Sequence, residues 1–360
     1  MDTRPDRLAA LRGSLAAAER DALLVTALPN IRYLTGFSGS SALLVVTATD
    51  ALFISDFRYD TQAREEVGDV ARVVIEPVSL WSHLWQALPG LGVEVIAFES
   101  AHVTWADAQR FVDNGAKWQW RPAVGLVEEL RQSKDAGEIA HIRAAVGIAE
   151  RALERLLPQI RPGLTELAIA GMLEMLLRQE GSEAYPFETI IASGERSALP
   201  HARASERVVA TGDLLLIDYG AVSGGYCSDI TRTFVVGKPT DEQQDVFDVV
   251  RESNATASGG VRAGMRGKDA DELARGYIHR RGWGPQFGHS LGHGIGLEVH
   301  EAPRLAASAD APLPLGSVVT IEPGIYRPGW GGVRIEDDVV LSVDGATVLT
   351  SFPRTLLSLG

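Results

Sequence analysis

Four acidic residues in two glycine-turned hairpins form the most chemically suggestive pattern in this chain. In the run from Asp213 to Gly237, two β-rich segments flank Ser223-Gly224-Gly225, a turn signal of the kind that closes hairpins. A turn centred on Ser223 and Gly224 predicts that Asp218 lies directly opposite Asp229, with Cβ atoms on one face about 4.5–5.5 Å apart. Aspartate is disfavoured inside strands, and like charges placed opposite one another repel. The pair costs stability unless a cation sits between the two carboxylates.

The run from Val318 to Leu341 repeats the arrangement. Two strand-like segments flank Pro328-Gly329-Trp330-Gly331-Gly332, and the same counting places Glu322 opposite Glu336. A single acid is usually a solvated or capping carboxylate, but two matched hairpins close together in one region are poorly explained that way. Between them, the run from Gly288 to Pro303 holds His289, His293 and His300, three of the eight histidines. Glycines at 288, 292, 294 and 296 would let backbone and metal approach without Cβ atoms in the way. His201 lies upstream, after FETIIASGERSALP. His83, His102, His141 and His279 stand outside any motif and are read as structural.

These residues need a scaffold, and the periodicity supplies one. A helix over about residues 4–20 and strands at ALLVT, SALLVVT, ALFISD, VARVVIE and VEVIAFE read as a small α/β domain. A long amphipathic helix then begins, with Asp135 as N-cap and Glu138 completing a capping box. Its apolar face is Ile139, Ile142, Val146, Ala149, Leu153, Leu156 and Ile160, and Pro162-Gly163 is expected to stop it. A second helix follows Thr165 and ends near Gly181. The boundary is placed near residue 130, giving domains 1–129 and 130–360 of an α/β (α+β) protein.

Composition narrows the class. The 360 residues carry a net charge of −13, which disfavours nucleic acid and anionic lipid as partners. No apolar run is long enough to span a membrane, and the charged N-terminus does not resemble a secretory signal. The lone Cys227 suits a reducing compartment, so a cytoplasmic protein is expected.

The segments IDYGA, SDITRTF, GHGIGLEVHE, TIEPGIY and GVRIEDD resemble the methionine aminopeptidase, prolidase and aminopeptidase P superfamily, whose catalytic domain has the pita-bread fold. NIRYLTGFSGS and FISDFRY resemble the smaller creatinase-type N-terminal α/β domain of its proline-specific branch. The resemblance implies five metal ligands, Asp218, Asp229, His293, Glu322 and Glu336, holding two divalent ions. Asp229 and Glu336 would bridge both. Four carboxylates and one imidazole make an oxygen-rich set that suits manganese first, then cobalt or zinc.

The same resemblance implies Glu322 as proton shuttle and His201 and His300 as hydrogen-bond donors to substrate. It places His289, Tyr326 and Arg334 at the pocket or behind the ligands. Arg304 is a candidate reader of a substrate carboxylate. The activity implied is an Xaa-Pro aminopeptidase acting on proline-containing peptides as a homodimer. Two alternatives are an Xaa-Pro dipeptidase (prolidase) and, from a different class, a metal-free binding protein on the same scaffold. Serine hydrolase, H-E-x-x-H zinc peptidase and dinucleotide-binding readings fail, because GFSGS, His289-x-x-x-His293 and the Gly292–Gly296 run lack the required spacing.

Overall fold

The computed structural model describes residues 2–360, which form two compact units, one running to Arg131 and the other from Gln132 to Gly360. In the first unit, strands β1 (Ala22–Val25), β2 (Ala42–Thr47), β3 (Ala51–Asp56), β4 (Arg72–Glu76), β5 (Val95–Glu99) and β6 (Gln119–Ala123) build one sheet in the order β4-β3-β2-β1-β5-β6. Helices α1 (Arg4–Ala17), α2 (Leu28–Thr35), α3 (Asp60–Val67), α4 (Leu80–Ala87), α5 (Trp105–Asp113) and α6 (Leu126–Arg131) accompany it. The central strand β1 is unbrokenly apolar and buried throughout, as a strand covered on both faces must be. β6 carries Pro122, whose missing N–H is tolerated because β6 is an edge.

The second unit opens with α7 (Ala136–Leu156), and its capping box on Asp135 and Glu138 forms as the sequence predicts. The helix ends before Pro162-Gly163. Pro158 breaks it into a short 3₁₀ turn at Leu157–Gln159, because proline cannot continue the hydrogen-bond ladder. The buried face of α7 packs with α8 (Glu166–Gln179) over a sheet of β7 (Ile190–Ser193), β8 (Leu214–Tyr219), β11 (Ile230–Val236) and β19 (Ser358–Leu359). Between β8 and β11 sits the small β9 (Val222–Ser223) and β10 (Tyr226–Cys227) ladder.

A second core lies under α9 (Asp241–Gly260) and α10 (Gly267–Arg280). It is formed against β12 (Gly292–Gly294), β13 (Glu301–Leu305), β14 (Val318–Ile321), β17 (Asp337–Leu341) and β18 (Ala346–Val348), together with the β15 (Gly324–Arg327) and β16 (Gly331–Arg334) pair. No helix among the described residues is long and apolar enough to cross a membrane.

The first hairpin corrects the predicted register. Its turn is Gly224-Gly225, both with positive φ (57° and 80°), so that Tyr226 pairs with Ser223 and Cys227 with Val222. Two successive left-handed residues make the turn whose twist matches antiparallel strands, and Gly-Gly accepts it where Ser-Gly would strain Ser223. The consequence is a shift of two. Asp218 pairs with Thr231 rather than Asp229, which leaves the two aspartates diagonal to each other on one face.

Candidate metal centre

The second hairpin keeps the predicted register. Ile321 pairs with Asp337 and Gly324 with Arg334, so both ladders count through Glu322 opposite Glu336 at the gap between them. In that gap the backbone turns to other partners. Glu322 N–H donates to the Leu291 carbonyl at 2.9 Å and Glu336 N–H to the Thr231 carbonyl at 3.1 Å. The second bond ties Glu336 to β11, the strand that follows Asp229.

His293 arrives from a third direction on β12. Its flanking glycines serve strand packing rather than metal access: a Cβ on Gly292 would lie 2.0 Å from the Thr320 carbonyl oxygen, and one on Gly294 would lie 2.2 Å from that of Ala302. His293 Nδ1 lies 3.0 Å from its neighbour Gly294's carbonyl, which places the proton on Nδ1 and frees Nε2. Nε2 then stands 3.5 Å from Glu322 Oε1 and 3.8 Å from Asp229 Oδ2.

Four of the five side chains predicted from sequence therefore come within reach of one another, with the fifth, Asp218, on the neighbouring strand. Asp229, His293 and Glu336 offer ligand atoms all within 4.8 Å of one another. Glu322 touches that group through His293. Asp218 joins from the next strand, held through Oδ2 by the buried guanidinium of Arg334.

The electrostatics expose an imbalance. Burial, then the charges of Glu336 and Asp218, push the Asp229 carboxyl well above the usual range, and burial followed by Glu322 and Asp218 does the same to Glu336. Burial raises Glu322 to about 8 and depresses His293 to about 4. Asp218 Oδ1 and Asp229 Oδ1 are buried and accept no hydrogen bond from the described residues. Clustered carboxylates with orphaned oxygens beside a neutral imbidazole nitrogen are what a divalent cation needs, and the oxygen-rich donor set fits a hard or borderline ion.

A stability prediction follows from the signs. In the folded, metal-free chain Glu322 keeps its proton up to about pH 8, whereas an ordinary glutamate releases it near 4.5. The folded state holds the extra proton between those values, so metal-free stability falls as pH rises from about 4.5 to about 8. Asp229 and Glu336 act in the same direction. The rise in Tm on adding manganese to chelator-treated protein is expected to be larger at pH 8 than at pH 5, and equal gains in calorimetry at both values would contradict this.

Around the ligands, Arg334 Nη1 donates to the Tyr326 hydroxyl at 2.9 Å, and that hydroxyl lies 3.0 Å from His289 Nε2. His289 is therefore tied to Asp218 through Tyr326 and Arg334. Burial, then Arg334, lowers His289 to about 4. The His300 ring centre lies 4.4 Å from that of His293 and its side chain is exposed. His201 is also exposed and bounds an open cavity of about 500 Å³ with Arg196, Leu199, Pro200, Ala202 and Arg203. Arg304 pairs with His293 across β12 and β13, which puts both side chains on one face.

Sequence reasoning missed the supports. Arg232 is buried and donates to the Glu336 carbonyl at 2.6 Å and to Asp337 Oδ1 at 2.8 Å. Asp338 Oδ2 accepts the Asp229 N–H at 3.1 Å, and Thr231 Oγ1 donates to Glu336 Oε2. The available signal was charge inside strand-like runs, in SDITRTF and IEDDVVL.

The model of metallopeptidase family M24 matches residues 140–342, and that of the creatinase/prolidase N-terminal domain matches residues 7–133. The Xaa-Pro dipeptidase of Pyrococcus horikoshii is 35% identical over 339 residues, covering 94% of each chain. A solved Xaa-Pro dipeptidase from Bacillus anthracis is 40% identical with a TM-score of 0.96, covering 99% of this chain and 100% of that one. The X-Pro aminopeptidase of Thermotoga maritima is 39% identical with a TM-score of 0.91, covering 98% and 99%. These likenesses bear out the expected fold, a creatinase-type N-terminal domain followed by a pita-bread domain.

Proposed function

The chain belongs to metallopeptidase family M24, and from that membership we propose that it is an Xaa-Pro dipeptidase that holds two divalent cations, manganese first among them, on Asp218, Asp229, His293, Glu322 and Glu336. The observation that carries the dipeptidase reading is Arg304, paired across the strands with His293. Its positive charge is felt at both His293 and His300. A guanidinium so close to the centre suits the free carboxylate of a dipeptide's proline. Relatives named as Xaa-Pro dipeptidases support the same choice. The aminopeptidase expected from sequence is the second reading, supported by the Thermotoga maritima relative.

When bound, divalent cations supply Lewis acidity and a nucleophilic water at neutral pH. The chain's own groups do the rest. Glu322 accepts from the Thr320 hydroxyl at Oε1, which leaves Oε2 to take a proton and pass it to the departing prolyl nitrogen. That nitrogen carries no hydrogen of its own in the peptide, so the proton it gains must be delivered. His300 and His201 donate hydrogen bonds to the carbonyl oxygen as negative charge develops there. The Arg334–Tyr326–His289 chain keeps Asp218 in place. A homodimer in a reducing, cytoplasmic setting is part of the proposal, supported by the single buried Cys227 and by the family resemblance.

Hydrolysis of an Xaa-Pro dipeptide set against the matching Xaa-Pro-Yaa tripeptide tests the reading. The dipeptide is expected to be the better substrate. Arg304→Ala should raise its KM by about 10–10²-fold, the worth of one charge-assisted hydrogen bond of about 1.5–3 kcal/mol, with a smaller effect on the tripeptide. A preference for the tripeptide that Arg304→Ala leaves unchanged would establish the aminopeptidase instead.

A further inference from the structure

Glu166 opens α8 with its side chain fully buried, a position where a carboxylate is costly unless its lone pairs are filled. They are filled from two directions. Oε1 accepts the backbone N–H and the hydroxyl of Ser193, both at 2.8 Å. Oε2 accepts the Ser205 N–H at 3.1 Å, the Ser205 hydroxyl at 2.6 Å and Arg196 Nε at 3.0 Å.

Ser193 ends β7, and Ser205 lies on the far side of the segment that carries His201. One carboxylate therefore fastens both ends of that loop, one oxygen to each. Arg196 extends the tie by donating from Nη2 to the Arg203 carbonyl at 2.6 Å. Nearer the tip, the Pro200 carbonyl accepts from Arg334 Nη1 at 3.2 Å, and Ala202 is buried with Leu216 and Tyr326. His201 itself is exposed. The path of the loop, more than packing around the ring, sets where its imidazole points.

We infer that Glu166 is a positioning residue for His201: by closing the 193–205 loop on a single carboxylate it aims the imidazole at the substrate, acting on the reaction without touching the reacting atoms. The inference rests on the reading of His201 as a donor to substrate. It explains why a charged group at this buried place has every donor drawn from one loop.

A double-mutant cycle tests it on full-length, manganese-loaded protein with an Xaa-Pro dipeptide. Glu166→Gln keeps the shape but turns one oxygen into an NH₂ group. Whichever way the amide lies, that NH₂ faces backbone or guanidinium donors and releases one end of the loop. The expected result is a fall in kcat of about 10²-fold, the scale of a group misplaced by about 1 Å, with bound manganese unchanged and KM little altered. His201→Ala should cost a similar factor, and the double variant should be no slower than His201→Ala alone, as for groups that act as a unit.

Multiplying losses would overturn the proposal, as would a lower Tm with kcat intact, which marks a role in folding alone. An unaffected kcat in His201→Ala would instead remove the assignment of His201, and the proposal with it. If Glu166→Gln does not fold, Ser205→Ala deletes one hydroxyl from the Oε2 side and enters the same cycle with the same outcomes.

Discussion

Glu336→Gln is expected to abolish turnover together with occupancy of at least one metal ion. Glu336 is almost wholly buried, is fixed by Thr231 through Oε2, and shares ligand-atom distances with both Asp229 and His293. Replacing it removes a full negative charge and points an amide at whatever cation the other ligands hold. Several kcal/mol of Lewis-acid stabilisation is lost with the metal, so activity should fall by at least about 10³-fold. Elemental analysis with steady-state kinetics checks both parts, and full turnover with two ions bound would refute the ligand assignment. Calorimetry adds an independent reading. Metal-free Glu336→Gln should be at least as stable at pH 8 as the metal-free parent, because a carboxyl whose ionisation burial opposes has been removed. Asp229→Asn is expected to behave alike, for the same reason.

His300→Ala should give the complementary result, with metal kept and rate lost. Its ring lies beside that of His293, but its side chain is exposed and none of its atoms belongs to the clustered ligand set. Partial burial lowers its pKa, followed by the positive influence of His201, which favours the neutral ring that donates one hydrogen bond. Donors aimed at a developing oxyanion are worth a factor of about 10²–10³ in kcat. Loss of that size with unchanged manganese content is the expected outcome. Unchanged kinetics would remove His300 from the reaction, and lost metal would make it a ligand or a support for one.

The two variants separate holding the cations from using them. The residues behind the ligands complicate that division, because Arg334 and Arg232 each reach a ligand and several other groups at once. Truncating either leaves buried acceptors unsatisfied and combines a loss of stability with a loss of rate.

Sequence alone determined what short-range rules govern. Apolar periodicity marked α7 and its buried face, Asp135 and Glu138 announced its start, and unbroken apolar runs marked the central strands of the first unit. The second hairpin was also legible, because its glycine-rich turn has a definite length and antiparallel pairing then fixes Glu322 against Glu336 by counting. The acids of the two hairpins pointed to a shared cation, and the family resemblance added His293 to the proposed ligands.

Tertiary structure decided what those rules leave nearly degenerate. Ser223-Gly224 and Gly224-Gly225 are both turn-forming pairs, and a shift of two residues keeps every side chain on its face, so the hydrophobic pattern cannot choose between them and only the backbone strain at Ser223 does. The choice fell to the left-handed backbone at both Gly224 and Gly225, and it moved Asp229 away from Asp218. Partners such as Glu166 with Ser193 and Ser205, or Arg232 with Asp337, are also beyond a linear reading. Each joins segments tens of residues apart, and burial, which makes a charged group depend on one particular partner, exists only once the chain has closed around it.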